Sequence, residues 1–358
     1  MLETQTEQDL LRQSDPMEFW PTWKLYLPLI PYIAFESIRS IRSGSISSLG
    51  FGTIAAANPS IPLGGLVGES KYQILRKLDP EHVLKFFLVP KGSKDINSIL
   101  EKMNSFGLTF PVILKPDSGQ RGQGVRKIQS PKHLEECLLE SNVDLLVQEF
   151  HPGPFEAGIF YYRYPNSSLG KIFSITRKVF PRLIGNGIST LSKLVENHSR
   201  FKIQKDRFQK RFSETWDKVP KLGENILLSE AGNHCQGTLF LDGSEWITPE
   251  LENKIHEISS SFSGFYFGRY DIRFSSLKDF LEGKDLHIVE LNGVTSESTN
   301  LYDPRFSLRE RYSILFSQWK ILFKISRQSK AKAAGLFSIV KELYNFYFGD
   351  RNVSDLSS

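Results

Sequence analysis

Cysteine is almost absent from this chain. Cys137 and Cys235 are the two in 358 residues. They fit neither a disulfide framework nor metal-ligand spacing, so two reduced thiols in a cytoplasmic protein are expected. A large excess of one charge is also missing: 45 basic against 40 acidic residues give a net charge of +5. That excludes a strong nucleic-acid footprint and leaves a modest attraction to phosphates. There is no long hydrophobic run. The most apolar stretch, Leu25 to Phe35, carries Pro28 and Pro31 and is too short to span a bilayer. Its flanking Trp20, Trp23, Tyr26 and Tyr32 admit an interfacial segment, but packing against the main body is the favoured expectation. The opening residues are acidic and polar, so no secretory leader is expected, and no internal repeat is visible. What remains, with 40% hydrophobic and 24% charged residues, is an ordinary globular composition.

Four regions differ in character: 1–70, 71–154, 155–310 and 311–358. The first is aromatic and proline-rich, then irregular through Ala55-Ala-Ala-Asn-Pro-Ser-Ile-Pro-Leu-Gly-Gly65. The second predicts a short helix at 71–78, a strand at 85–89 and a helix at 95–106. A strand pair around a glycine loop follows, then a helix at 131–140 and a strand at 145–150. The third is mixed as well, so the fold class is α+β. From Arg311 to Lys341 the tail carries seven Lys or Arg and no acid, interleaved with apolar residues at helical spacing. A helix docked on the body with a solvated basic face is expected; a membrane-surface helix is the alternative.

Two segments, Phe267-Gly-Arg-Tyr-Asp-Ile-Arg-Phe274 and Leu286-His-Ile-Val-Glu-Leu-Asn292, read as adjacent strands. Alternation puts Arg269, Asp271 and Arg273 on one face, and Glu290 and Asn292 on one face of the partner. Two carboxylates and a carboxamide beside arginines suit a hard cation such as Mg²⁺ next to an anion. A structural Arg–Asp ion pair is the alternative.

Upstream, an apolar strand ends on Lys115, a loop carries Gly119, Gly122 and Gly124 with Arg121 at its tip, and a strand begins at Val125. Such glycines let backbone N–H groups approach a polyphosphate, and Lys115 and Arg121 add charge. A plain flexible turn reads the same letters. Farther on, Leu145-Leu-Val-Gln-Glu-Phe150 followed by His-Pro-Gly-Pro-Phe-Glu156 has the form of a hinge between lobes. A hinge of that kind offers amides to an adenine edge and a carboxylate to ribose hydroxyls.

In this order, from about Lys71 to Pro304, the segments resemble the ATP-grasp superfamily, and within it the D-alanine–D-alanine ligase and cyanophycin synthetase branches. Gly268-Arg-Tyr-Asp271 and Glu290-Leu-Asn292 match the ligase pattern of Gly-Arg-x-Asp and Glu-x-Asn. The resemblance implies two α+β lobes gripping ATP, with Mg²⁺ (Mn²⁺ as an alternative) on Asp271, Glu290 and Asn292. It places Arg269 on the tetrahedral intermediate, and Lys71, Lys115 and the glycine loop on phosphates. Gln148, Glu149 and Phe150 fall on the adenine hinge, Glu156 on ribose, and Arg177 or Lys178 on the γ-phosphate. The implied reaction is ATP-dependent ligation of a small carboxylate to an amine, or to a thiol, through an acyl phosphate. A kinase using the same ATP site is the alternative, and a nucleotide sensor is disfavoured. Departures are clear: Gly293-Val-Thr-Ser-Glu-Ser-Thr299 replaces the Pro-Gly-Met-Thr type loop, and the N-terminal region is too short for a full α/β domain. A D-alanine dipeptide is therefore a poor guess for the product.

Overall fold

The computed structural model describes residues 5–13, 15–42, 51–66, 68–119 and 124–329, together with Lys341 and Tyr344. Two antiparallel sheets dominate these residues. The first uses β1 (Phe86–Val89), β2 (Val112–Pro116), β3 (Arg126–Ile128) and β4 (Leu145–Glu149) in the order β1-β4-β2-β3. The strands are short, and β1 and β2 are rich in aromatic and β-branched residues, as a half-buried pleated surface favours. Helices Ile96–Ser105 and Pro131–Glu140 cover one face and bury Ile99, Met103, Leu134 and Leu138 against Phe87, Val89, Val112 and Leu114. Both start on side-chain caps: Asp95 accepts from the Asn97 N–H at 3.1 Å and Ser130 from the His133 N–H at 3.3 Å. The other face of this sheet turns toward the second.

The second sheet holds β5 (Phe155–Tyr162), β6 (Lys171–Val179), β9 (Leu239–Asp242), β10 (Phe267–Phe274) and β11 (His287–Asn292), ordered β11-β10-β5-β6-β9. A two-stranded ribbon of β7 (Arg182–Ile184) and β8 (Asn225–Leu227) lies apart from it. Alternation along β5 sets the sheet's two faces. Ala157, Ile159 and Tyr161 join the core under the helix Pro249–Ser261, while Glu156, Gly158 and Phe160 face the other way. Beyond Phe160 that second face is closed by Trp319, Leu322, Phe323 and Ile325 of the helix Leu308–Gln328, with Leu25 and Leu29. The α+β class expected from the sequence is therefore observed, with no helix among the described residues long and apolar enough to cross a membrane.

Two polar devices tie the N-terminal region to this body. Asn58 is fully buried and accepts the N–H groups of Tyr266 and Phe267 at 2.9 and 3.0 Å, while its own amide donates to Phe267 O at 2.7 Å. Glu18 meets Arg200 in a two-pronged pair at 3.1 and 2.6 Å, with neither side chain exposed at all. Arg200 also donates to Gly237 O and Thr238 O, so the buried charge is matched by Glu18 and two carbonyls. The tail helix docks as expected and exposes Lys320 and Lys324, but Arg311 departs from the predicted basic face. It is buried, pairing with Asp15 and donating to Phe306 O and Asp303 O. Residues 330–358, the rest of the predicted basic tail, lie outside the described residues apart from Lys341 and Tyr344.

Candidate active site

A cleft of about 2970 Å³ runs between the two sheets. Its floor is the polar face of the larger sheet, and pairing register explains its composition. Arg269 lies opposite Asn292 and Asp271 opposite Glu290 across β10 and β11. On the other side Asp271 faces Gly158, and Glu156 faces both Arg273 and Lys178. Directly opposed residues in an antiparallel pair share a face, so these groups converge. Gly158 keeps the floor open: a Cβ there would stand 3.3 Å from Arg269 Cδ and 3.5 Å from Asp271 Oδ1.

The same parity separates Arg177 from Lys178. Arg177 lies opposite Ala157 and so on the far face, where it pairs with Glu7 and with Glu245 at 3.2 Å. It stacks over Trp246, 5.0 Å from the ring centre. Of the two basic residues expected near the γ-phosphate, the structure brings only Lys178 to the cleft.

Lys178 stands 2.6 Å from Glu156 and 3.0 Å from Asp271. Burial works to lower its pKa, yet the two carboxylates outweigh that and raise it. Asp271 also receives Arg269 at 3.2 Å, and these two cations overcome burial to hold its carboxyl below the usual range. Glu156 is taken on both oxygens, by Lys178 and by Arg273 at 3.1 Å. The expected ribose carboxylate is thus already an ion-pair partner, packed so closely that a Cβ on Gly232 would stand 2.0 Å from it.

Across the cleft, Lys115 is 4% exposed and donates to Gln148 Oε1 at 2.8 Å and to Val289 O at 3.2 Å. Burial lowers it to about 8, with the Glu290 carboxylate pulling the other way. Gln148 completes the link by donating to Val289 O at 3.2 Å, so its side chain ties the two sheets together. Lys71 opens a short helix, donates to Gly119 O at 3.0 Å and lies 3.6 Å from Glu290. Glu149 accepts the Lys85 N–H at 3.2 Å, and Phe150 lies under Lys127, 3.8 Å from its ring centre. Gly124 takes φ +70°, a conformation glycine adopts without strain. Arg121 and Gly122 fall outside the described residues.

Three participants carried no assignment from sequence. Glu69 accepts the Gly293 N–H at 3.1 Å, and burial pushes its pKa up to about 8. Arg273 grips Glu156 and donates to His151 O at 2.6 Å. Glu297 accepts from Tyr26 OH at 2.7 Å and Tyr302 OH at 2.8 Å, while its backbone carbonyl receives Arg269 at 3.0 Å. Glu69 sits two residues before Lys71 and Arg273 alternates with Asp271, so both had a local signal. Glu297 meets Tyr26 from 271 residues away and had none.

At neutral pH Lys71, Lys115, Lys178, Arg269 and Arg273 face the carboxylates of Glu156, Asp271 and Glu290, with Glu69 protonated. With Glu149 and Glu297 in the same lining the charges nearly balance, and the cations lie interleaved with the carboxylates. The oxygen donors of Asp271 and Glu290 suit a hard divalent cation. Asn292 fits too: its Nδ2 is buried with no hydrogen-bond partner, and a half-turn of the amide presents an oxygen instead. A different trio, His151, Asp285 and His287, also brings ligand atoms within 4.8 Å. There His151 Nδ1 accepts the Gly153 N–H at 3.1 Å, which places the ring proton on Nε2 and spends both nitrogens.

The chain matches no known family model and no curated protein. Among solved structures it is similar to a bifunctional glutathione synthetase from Pasteurella multocida, with 14% identity, TM-score 0.38, 70% of this chain and 36% of that one. It is also similar to the VanG D-Ala:D-Ser ligase from Enterococcus faecalis, with 14% identity, TM-score 0.38, 70% of this chain and 61% of that one. A D-alanine–D-alanine ligase from Helicobacter pylori gives 16% identity, TM-score 0.35, 73% of this chain and 60% of that one. This chain thus spans about a third to three fifths of their lengths.

Proposed function

We propose that the cleft is the active site of an ATP-dependent carboxylate–amine ligase of the ATP-grasp type. The observation that carries this reading is the convergence of Lys71, Lys115, Lys178 and Arg269 on the register-paired carboxylates Asp271 and Glu290. Asp271, Glu290 and Asn292 would hold Mg²⁺, which when bound neutralises charge on the β- and γ-phosphates. Lys71, which donates to Gly119 O, and Lys115 bind and orient the phosphates. Lys178 stands on Asp271 at the reacting end and stabilises the charge that spreads as the γ-phosphoryl group moves to a substrate carboxylate. ADP leaves, and the substrate becomes an acyl phosphate. An amine then attacks the acyl carbon, Arg269 holds the oxyanion, and phosphate departs. Glu69, uncharged at neutral pH, keeps the Gly293 turn in place without adding repulsion to the phosphates.

The reading is tested by screening pairs of carboxylates and amines for ADP release and product mass. Release of ADP and phosphate that needs both partners, with a product of condensed mass, supports the ligase. A stable phosphorylated product from one partner alone would instead make the protein a kinase, and an amide-free product formed with a thiol would move it to thioester formation.

A further inference from the structure

The helix Ile30–Arg42 is apolar on both sides, unlike an ordinary surface helix. Its outward residues are Ile30, Pro31, Ala34, Phe35, Ile38 and Arg39, spaced by three and four on one stripe. The inward side packs Tyr32 and Ile33 on the core, Tyr32 against Phe316 and Phe323, and buries Glu36 and Ser37, with Glu36 paired to Arg327 of the tail helix. The exposure is large: Ile30 is 54%, Phe35 61% and Ile38 49% exposed. The preceding turn adds Trp23 at 67% and Leu27 at 54%. A helix solvated on this side would carry its polar residues here and its apolar ones within. An exposed apolar patch of this kind marks an interaction surface.

The rim identifies the partner. Lys24 lies 4.0 Å over the Trp20 ring beside the patch, and Arg39, 61% exposed along its side chain and 3.6 Å from Glu36, closes the far end of the stripe. No exposed acid lies on the stripe. Apolar side chains in the middle, tryptophans at the margin and cations around them match an anionic lipid surface, into which such a helix sinks parallel to the plane. A protein groove would instead face a rim of mixed charge. The patch is also continuous with the cleft: Trp20, Trp23, Leu27, Ile30 and Ile38 line its outer end.

We propose that the outward face of residues 19–39 seats this protein on anionic membrane surfaces, with the mouth of the cleft against the lipid. The inference stands whether or not the cleft proves to be a ligase site. It is tested by sedimenting the full chain with vesicles of phosphatidylcholine and phosphatidylglycerol, and of phosphatidylcholine alone. The full chain is expected to pellet with the mixed vesicles and less with the neutral ones, the difference shrinking at high salt. Phe35→Ser with Ile38→Ser is expected to cut partition at least about tenfold at an unchanged unfolding temperature, because both residues are exposed. Phe35→Trp should retain binding. Trp23→Phe should remove a vesicle-induced blue shift in fluorescence. Three results would overturn the proposal. The full chain could stay in the supernatant. The serine variant could bind unchanged while Lys330→Gln with Lys332→Gln abolishes binding. Or the full chain could sediment as a dimer that the serine substitutions split, making a second copy the occupant.

Discussion

The two walls of the cleft handle charge in opposite ways. The wall built on β2 and β4 presents Lys115 hydrogen-bonded to neutral oxygens, Gln148 Oε1 and Val289 O, with the Glu290 carboxylate acting on it from farther off. The floor on β5, β6, β10 and β11 interleaves Glu156, Asp271 and Glu290 with Lys178, Arg269 and Arg273, nearly every charge matched. A matched network resists change because removing one member strands another in a dry place. An unmatched buried cation is held under tension, its pKa depressed until an anion arrives. One wall is therefore built to persist and the other to respond.

Substitutions can break that contrast. The largest effect is expected from Glu290→Gln, which keeps shape and removes the charge: turnover should fall on the order of 10³-fold with the unfolding temperature nearly unchanged, read by steady-state ADP release. Asp271→Asn should lose activity as well. It differs in stability, because Lys178 and Arg269 lose their shared partner, at a cost of about 3 kcal/mol in denaturant unfolding. Lys115→Met should weaken nucleotide binding by about tenfold to a hundredfold, yet raise stability slightly by removing a poorly compensated buried charge.

A titration sharpens the comparison further. Lys115 in the folded protein sits at about 8, below its ordinary value, and Glu69 at about 8, above its own. As pH rises through 8 the first loses a positive charge and the second gains a negative one, so nucleotide affinity should fall across that range, measured by isothermal titration. The stability signs oppose each other. The protonated preference of Glu69 makes the fold lose stability from about 4.5 up to about 8, while Lys115 recovers stability between about 8 and 10.5. The smallest effect belongs to Arg177→Ala, expected to change turnover less than about threefold, since that side chain lies behind the sheet. A loss as large as that of Lys178→Ala would show that the face assignment is wrong.

Much of this floor was legible in the letters. Asp271, Glu290 and their alternating neighbours were readable because strand parity is local and both strands are short and strongly apolar. Parity failed between Arg177 and Lys178 for a physical reason: β6 buries residues on both faces, so its pattern does not say which side meets the cleft. Glu156 lines the cleft, but both its oxygens are already engaged. Its partners lie 22 and 117 residues away, where no spacing rule reaches. The segment 25–35 shows the same limit. Periodicity reveals that a helix has an apolar side, not which way that side points.

The Glu18–Arg200 pair bears on how the molecule can be trimmed. With both groups sealed from water, a shortened chain that starts beyond Glu18 leaves a guanidinium with no counter-charge in a dry pocket. Shortening from the N-terminus should then not erode the fold by degrees. Starts upstream of Leu10, which with Leu11 is buried against Val179 and Leu183, should yield intact protein, and starts past Glu18 should yield insoluble material, an edge sharp enough to place tags and fusion points by.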